Sequence, residues 1–515
     1  MTSAPSVVVV GSGAAGLAAA LAAAGRGADV LVLERAPDVG GTTAMSGGVV
    51  WMPGHGRAGG PEGDTAEEAL RYLDALCTGE VDRDLVRAFV GDARRVTDEI
   101  EQRSPLEWEV LSHWPDYRGE LPGAAPGGRS LWPRPLRLAA GIDGRVQRAF
   151  DQPSPSAEDE VPHDDGVVLR GHVRGRALAA GLLAAALDAG VEVRTGARAE
   201  QLLLDRGRVV GVATDGHVEA GRVVLASGGF QHDPALRAAH LAGPPVAPMG
   251  PAGCRGDGLR MARRAGASVS NMSEGWWMPA MHVPGEAVDG VRHYRPLHGE
   301  RAQPGAILVD GRGARFVDEA QNYGDVGRAM RAGARGGGVG DGGPACWLVF
   351  DAAYRRRYPV GPLGPDDDDP GWLVCAEDLE GLAKELDLAP EALAATVARF
   401  NDGARDGRDE DFGRGTRPYD AWIGDRRAPH PTLAPLGEGP WYALGVHLGC
   451  MGTKGGPRTD DGGRVRSSGG VVTGLYAAGN AAASPFGAAT AAGGATLGPA
   501  LVFGYRAGEA AAGDR

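Results

Sequence analysis

The sequence predicts a two-domain α/β protein, in which a nucleotide-type domain built on a parallel sheet is interrupted by an inserted α+β domain. Three observations lead there. A strand, an alanine-rich helix and a second strand follow one another within the first 34 residues. Signals of the same kind resume near residue 172 and again past about residue 440. Residues 276 to 432 differ in character from both flanks. The chain has 515 residues, length enough for two or more domains with real cores.

Ser6 to Val10 is a short β-branched run that stops at Gly11, Ala14 to Ala24 reads as a helix closed by Gly25, and Asp29 to Leu33 is a second β run ending at Glu34. A βαβ unit of this size implies a parallel sheet. Helical periodicity follows over Ala66 to Leu76 and Asp82 to Ile100; residues 112 to 165, rich in Pro, Gly and Asp, read as loops lying over another element. Gly175 to Ala189 predicts a helix, Val191 to Thr195 a strand, and Gln201 to Thr214 a strand pair. Arg222 to Ala226 is a β run that meets Ser227-Gly228-Gly229, where glycines let the backbone come close to a ligand. The middle region opens on Trp276-Trp277 and carries a flexible tract, Gly336 to Gly343, and an acidic run, Asp366 to Asp369, that reads as a solvated loop. Glycine-rich strand and helix signals then return and end in an alanine-rich helix. Residues 1–275 and 433–515 are thus assigned to one discontinuous domain and 276–432 to the insert.

Composition excludes several classes. The 85 glycines and 36 prolines have no short period and apolar segments lie between them, which argues against collagen and wholesale disorder. A net charge of −13 with scattered arginines offers no basic stripe for nucleic acid. Only two basic residues are lysines, Lys384 and Lys454. The five cysteines stand far apart, with no Cys-x-x-Cys pair and no histidine at metal-ligand spacing, so neither a disulfide framework nor a metal is expected. The first residues lack a basic leader and no apolar run is long enough for a membrane span, so a cytoplasmic protein is expected.

Gly11-Ser-Gly13-Ala14-Ala15-Gly16 follows the first strand, opens the helix and is answered by Glu34. The first glycine allows the tight turn, the second admits a pyrophosphate to the backbone, and the third permits close helix-to-strand packing. The helix N-terminus adds partial positive charge, and Glu34 is placed to accept from ribose hydroxyls. With both strands, helix and acid in register, this is a Rossmann-like dinucleotide site, open on these residues alone to NAD or FAD.

Val39-Gly40-Gly41-Thr42-Thr43-Ala-Met-Ser46-Gly47-Gly48 resembles the second glycine motif of the flavoprotein superfamily containing fumarate reductase and the 3-ketosteroid dehydrogenases. Ala199 resembles the strand residue that contacts adenine there, and Gly474-Leu-Tyr-Ala-Ala-Gly479-Asn480 the turn beneath the flavin. The resemblance implies FAD, a Rossmann-like FAD-binding domain and an inserted substrate domain. It places Arg35, Ser227, Gly228, Gly494 and Leu497 beside the cofactor with the motif residues above. Trp441-Tyr-Ala, Met451-Gly-Thr-Lys-Gly-Gly456 and Gly494 to Tyr505 are similar to the C-terminal signatures of 3-ketosteroid Δ1-dehydrogenases. Where a fumarate reductase carries histidine motifs, this chain reads Met278-Pro-Ala-Met-His282 and Leu448-Gly-Cys-Met-Gly452. Gly41 stands about where succinate dehydrogenases carry a flavin-linked histidine, so non-covalent FAD is implied.

Desaturation next to a ketone needs a hydride acceptor, a base and donors for the developing enolate oxygen. By resemblance the base is Tyr323, in Arg315-Phe-Val-Asp-Glu-Ala-Gln-Asn-Tyr323, with Tyr117 as the tyrosine that relays its proton. The carbonyl would be polarised by the Gly494 amide, but the family's second donor, a tyrosine, is replaced by Thr490. Threonine can donate, though with shorter reach. Trp276, Trp277 and Met278 would line an apolar pocket, and His282 and His447 are further candidates. The expected partners are a small apolar, steroid-like cyclic ketone and an external electron acceptor. The alternatives are an ene-reductase acting on an activated double bond, or a flavoprotein that only passes electrons.

Overall fold

The structure is a computed structural model that describes residues 5–78, 81–138, 142, 145–146, 160–162, 168–170, 172–288, 290–333 and 343–514. Nearly all of the glycine tract from Gly336 to Gly343, and much of the stretch 112 to 165 past residue 138, lies outside these residues.

Four consecutive valines, Val7–Val10, form a strand with no exposed face. Such a run suits the middle of a parallel sheet covered on both sides. It pairs in parallel with Val30–Leu33 on one side and Arg222–Leu225 on the other. The full order is Arg464–Ser467, Gly470–Ala477, Arg222–Leu225, Val7–Val10, Val30–Leu33, Glu192–Arg194, and only Arg464–Ser467 runs antiparallel to its neighbour. The expected strand pair is present as Ala199–Asp205 and Arg208–Thr214, joined by His217–Ala220 in a separate antiparallel sheet. Helix Ala14–Gly25 carries almost nothing larger than alanine, so another backbone can lie against it. The final helix, Leu497–Gly513, does so: β carbons at Gly504 and Gly508 would fall 2.3 and 2.1 Å from the Ala15 and Ala19 carbonyl oxygens.

A second sheet runs Arg295–Pro296, Gly275–Met281, Trp441–Thr453, Cys346–Asp351, Ala306–Val309, with Val246–Pro248 and Val374–Ala376 also paired to Trp441–Thr453. Its central strand lies past residue 432, so this sheet takes strands from both sides of the boundary drawn from sequence. Within 112 to 138 the chain is not all loop: Ser130–Pro133 pairs with both Val50–Trp51 and Trp108–Val110. This small sheet backs the loop at Gly494, because Trp51 N–H donates to the Gly494 carbonyl at 3.2 Å. Among the described residues no helix is long and apolar enough to cross a membrane, no three metal-ligating side chains cluster, and all five cysteines are free.

Candidate functional site

The glycine motif sits at the C-terminal end of the first strand. Gly11 has φ +105°, and a β carbon there would fall 2.5 Å from the Ala226 carbonyl oxygen; at Gly16 it would fall 1.9 Å from that of Gly11. Gly13 differs, since a side chain there would meet nothing closer than Thr43 Oγ1 at 3.5 Å, which leaves this side of the turn open. Ala14 N–H donates to Thr43 Oγ1 at 3.0 Å, while Ala15 and Gly16 lie in the first turn, whose N–H groups no helical carbonyl can satisfy. Glu34 is buried: Oε2 accepts from Ser12 N–H and Oγ at 3.1 and 2.6 Å, and Oε1 accepts from Ala36 N–H at 2.9 Å. The acid thus braces the turn from within the protein.

Gly40 and Gly41, with φ of +114° and +51°, bend the chain into the short helix Gly41–Met45. Ser12 Oγ accepts from Gly40 N–H at 3.1 Å and joins this segment to the first motif. Ser46 Oγ donates to the Thr43 carbonyl and accepts from Gly48 N–H, and Gly47 carbonyl accepts from Trp132 Nε1. Gly48, at φ +73°, lies against the Arg174 backbone. Thr42 Oγ1 is 3.9 Å from Cys254 Sγ, the atom a β carbon at Gly228 would also meet. Arg35 donates to the Gly253 carbonyl and Asp257, and Arg198 also pairs with Asp257, on the rim of a cavity of about 280 Å³ that Ala199 lines. Gly479, at φ +63°, lies against Ala15, Asn480 Oδ1 accepts from Trp276 Nε1 at 3.1 Å, and Leu497 starts the final helix. Ser227 Oγ is buried with no hydrogen-bond partner among the described residues. An open glycine, unsatisfied helix-end amides and an orphaned hydroxyl fit a dinucleotide whose oxygens would supply the missing partners.

Three of the candidate catalytic residues, Tyr323, Tyr117 and Thr490, also come together. Asn322 Oδ1 accepts from Asp325 N–H at 3.0 Å and fixes the start of helix Tyr323–Gly333, setting Tyr323 at its first position. Tyr117 N–H donates to the Ala491 carbonyl at 3.0 Å, so its loop is tied to the segment that carries Thr490 and Gly494. Next to it Asp116 accepts from Trp51 Nε1, Ala125 N–H and Arg129; burial pushes this carboxyl up to about 6 against the pull of Arg129. The rings of Tyr117 and Tyr323 meet edge to face at 5.5 Å, and Tyr117 meets Tyr419 in the same way at 4.6 Å. Burial raises all three phenols, and at Tyr323 the Tyr117 hydroxyl and the Arg301 charge oppose it. A β carbon at Gly324 would fall 2.9 Å from Thr490 Oγ1, so the threonine hydroxyl sits beside the residue that follows Tyr323. Gly494 accepts from Trp51 N–H and Gly498 N–H through its carbonyl, while its own N–H meets no acceptor among the described residues.

Met249, Met278, Ala280, Tyr294 and Met451 pack with Tyr323 into an apolar wall. Trp276 faces Asn480, whereas Trp277 turns the other way into the core under Gly327, as alternation along a strand requires. His447 lies 5.2 Å from the Tyr294 ring and is pushed down to about 4, mainly by burial, so it is neutral at ordinary pH. Four residues that sequence reasoning missed adjoin the site: Tyr419, Arg301, Lys454 and His298, whose ring lies 5.7 Å from that of Tyr323 and which burial pushes down to about 4. Only Lys454 carried a signal, as one of two lysines in a chain of arginines.

Comparison with known proteins agrees with this geometry. The family model described as FAD binding domain matches residues 6–497. A 4-oxocyclohexanecarboxylate 2-dehydrogenase of Sinomonas cyclohexanicum is 39% identical over 99% of this chain and 93% of that one. A 3-oxosteroid 1-dehydrogenase of Mycobacterium tuberculosis is 36% identical over 97% of both. The solved structure of 3-ketosteroid Δ1-dehydrogenase from Sterolibacterium denitrificans, in complex with 1,4-androstadiene-3,17-dione, superposes with a TM-score of 0.89 at 34% identity over the whole of both chains. The chain therefore belongs to the FAD-dependent 3-ketosteroid dehydrogenase family, within the flavoprotein superfamily that includes the fumarate reductases.

Proposed function

We propose that this FAD-dependent oxidoreductase desaturates the α,β carbon pair of a cyclic ketone, in a cleft between a Rossmann-like FAD-binding domain and an inserted catalytic domain. The observation that carries the reading is that Tyr323, set against an apolar wall, meets the Tyr117 ring and adjoins the Thr490 hydroxyl through Gly324, while Tyr117 is tied by its N–H to the Ala491 carbonyl in the segment that also carries Gly494. The cofactor would be held by the two glycine motifs, Glu34, Ser227 and Gly479-Asn480. Gly41 offers no side chain for attachment, which supports non-covalent binding. When bound, FAD supplies the two-electron sink that receives the hydride from the β carbon.

Tyr323 takes the proton from the α carbon. A phenol does this only as phenolate, so its own proton must first leave, and we route it through the adjoining Tyr117 and then Tyr419, each passing one proton on toward solvent as it takes one. Arg301 is wholly buried, with no carboxylate partner among the described residues; it donates to the Leu297 and Gln321 carbonyls at 3.2 and 2.8 Å and to that of Glu319. Its charge favours the phenolate at Tyr323. The Gly494 N–H and the Thr490 hydroxyl stabilise the enolate oxygen, and the methionine wall excludes water. The relatives' names span steroid and monocyclic ketones, so we extend both classes to this chain as substrates. The electrons leave to an external acceptor. Free thiols throughout suit the cytoplasm, where we place the protein.

The test is anaerobic mixing of the yellow holoprotein with a panel of 3-ketosteroids and 4-oxocyclohexane compounds. Bleaching of oxidised flavin by at least one of them is the expected result. No bleaching, with dithionite-reduced flavin reoxidised by an enone, would turn the assignment to an ene-reductase.

A further inference from the structure

We propose that Lys454 is a positioning residue that fixes the Thr490 hydroxyl as a hydrogen-bond donor to the ketone oxygen, a role that rests on the desaturation reading above. The chain's other lysine, Lys384, is exposed and pairs with Glu380 one helical turn away. Lys454 is 1% exposed, and no carboxylate pairs with it among the described residues. Its ammonium nitrogen lies 2.8 Å from the Ala488 carbonyl oxygen, 2.7 Å from that of Ala489 and 3.3 Å from Thr490 Oγ1, and it stands 4.0 Å from the centre of the Trp276 ring.

An ammonium has three N–H donors and no lone pair. Here three acceptors take all three donors, and the aromatic face adds a favourable contact for the cation. Thr490 therefore accepts from Lys454 and cannot donate back. No other acceptor for its O–H is present among the described residues, and the hydroxyl sits beside Gly324, next to the candidate base. Its hydrogen is left for the substrate. A positive charge behind the hydroxyl also polarises the O–H bond, which makes a short side chain a stronger donor. The same lysine holds the Ala488 and Ala489 carbonyls, just before Thr490, and so sets how far threonine reaches.

The arrangement has a pH signature. The charged and titratable groups that face Lys454 are Arg328, Glu274, Asp325 and Cys77, and Arg328 is itself paired to Asp325 at 3.1 Å. Burial first, and Arg328 second, push Lys454 well below the ordinary lysine range. Once neutral, the amine has a lone pair that can accept the Thr490 proton, and the donor is withdrawn from the cleft. Turnover should thus fall on the alkaline side at a pH below that of a surface lysine.

The test is a double-mutant cycle on the holoprotein with Lys454→Met, Thr490→Val and the pair. It is read by the rate of anaerobic flavin reduction and by ¹⁹F NMR of a bound fluorophenol, whose ionisation reports the strength of the oxyanion donors without turnover. Each single change should slow reduction roughly ten- to a hundredfold and raise the pH at which bound phenol ionises. The pair should be no slower than Thr490→Val alone. Effects that multiply, or an unchanged phenol ionisation in Lys454→Met, would overturn the proposal. Should Lys454→Met not fold, the alkaline limb decides: it should persist in Thr490→Ser and vanish in Thr490→Val, and its survival in Thr490→Val would overturn the coupling. A wild type bleached by no ketone removes the desaturation reading, while the phenol measurement still decides whether the two residues act as one donor.

Discussion

In the cofactor cradle Gly11 and Gly16 leave no room for a side chain, with a β carbon at Gly16 only 1.9 Å from the Gly11 carbonyl oxygen, whereas in the proposed tyrosine cleft side chains would form the working surface. The cradle works through backbone N–H groups and the end of a helix, and its side chains, such as Glu34 and Ser12, mostly hold the turn in shape. In the proposed mechanism the cleft would work through hydroxyls and through Arg301, a guanidinium with no carboxylate partner among the described residues, brought from segments hundreds of residues apart. Substitution should accordingly break the two regions differently: the cradle loses cofactor or fold, and the cleft loses rate while keeping both.

The sharpest break is in the cradle. Gly16→Val cannot be accommodated without parting helix from strand, so it should yield no yellow protein, measured as the flavin-to-protein absorbance ratio after purification. Next comes the brace behind Tyr117. Asp116→Ala removes one partner of the buried Arg129, and because Asp64 still pairs with that arginine the loss of stability should be at the low end for a broken buried ion pair, about 3 kcal/mol, by denaturant titration. Tyr117→Phe keeps the edge-to-face packing and removes only the relay hydroxyl. It should lower kcat roughly tenfold with FAD retained, in line with loss of an assisting proton path rather than of the base.

The smallest effect concerns pH. Burial, and then the facing Asp420, push Asp318 up to about 7. The folded chain thus keeps a proton that the unfolded chain releases near pH 4, so this group's contribution makes the protein less stable as pH rises from about 4 to about 7, and levels off above. Asp420→Asn should flatten that slope, followed by thermal melts across the window.

The cradle was readable in the sequence because its requirements are local: a tight turn, a close approach and a helix start each demand glycine at a set spacing. Tyr323 and Tyr117 were readable through the text around them. Tyr419, Arg301 and His298 were not, since nothing near them in the chain marks that Tyr419 packs on Tyr117, that His298 packs on Tyr323, or that the Arg301 charge acts on both tyrosines. Lys454 stood in plain view within Gly-Thr-Lys-Gly-Gly, but its burial beneath Thr490 follows from the fold of residues 486 to 494 and not from its neighbours. The long strand Trp441–Thr453 was not read as one element; in the fold it changes partners along its length, from Cys346–Asp351 to Gly275–Met281.

The most direct test of the account is anaerobic single-turnover mixing of Tyr323→Phe, with FAD content checked first, against the ketone that bleaches the wild type fastest. With the base gone and the ring retained, flavin reduction should slow by about a hundred- to ten-thousandfold while the ketone still binds. Reduction at the wild-type rate would contradict the account and move the proton transfer to another group in the cleft.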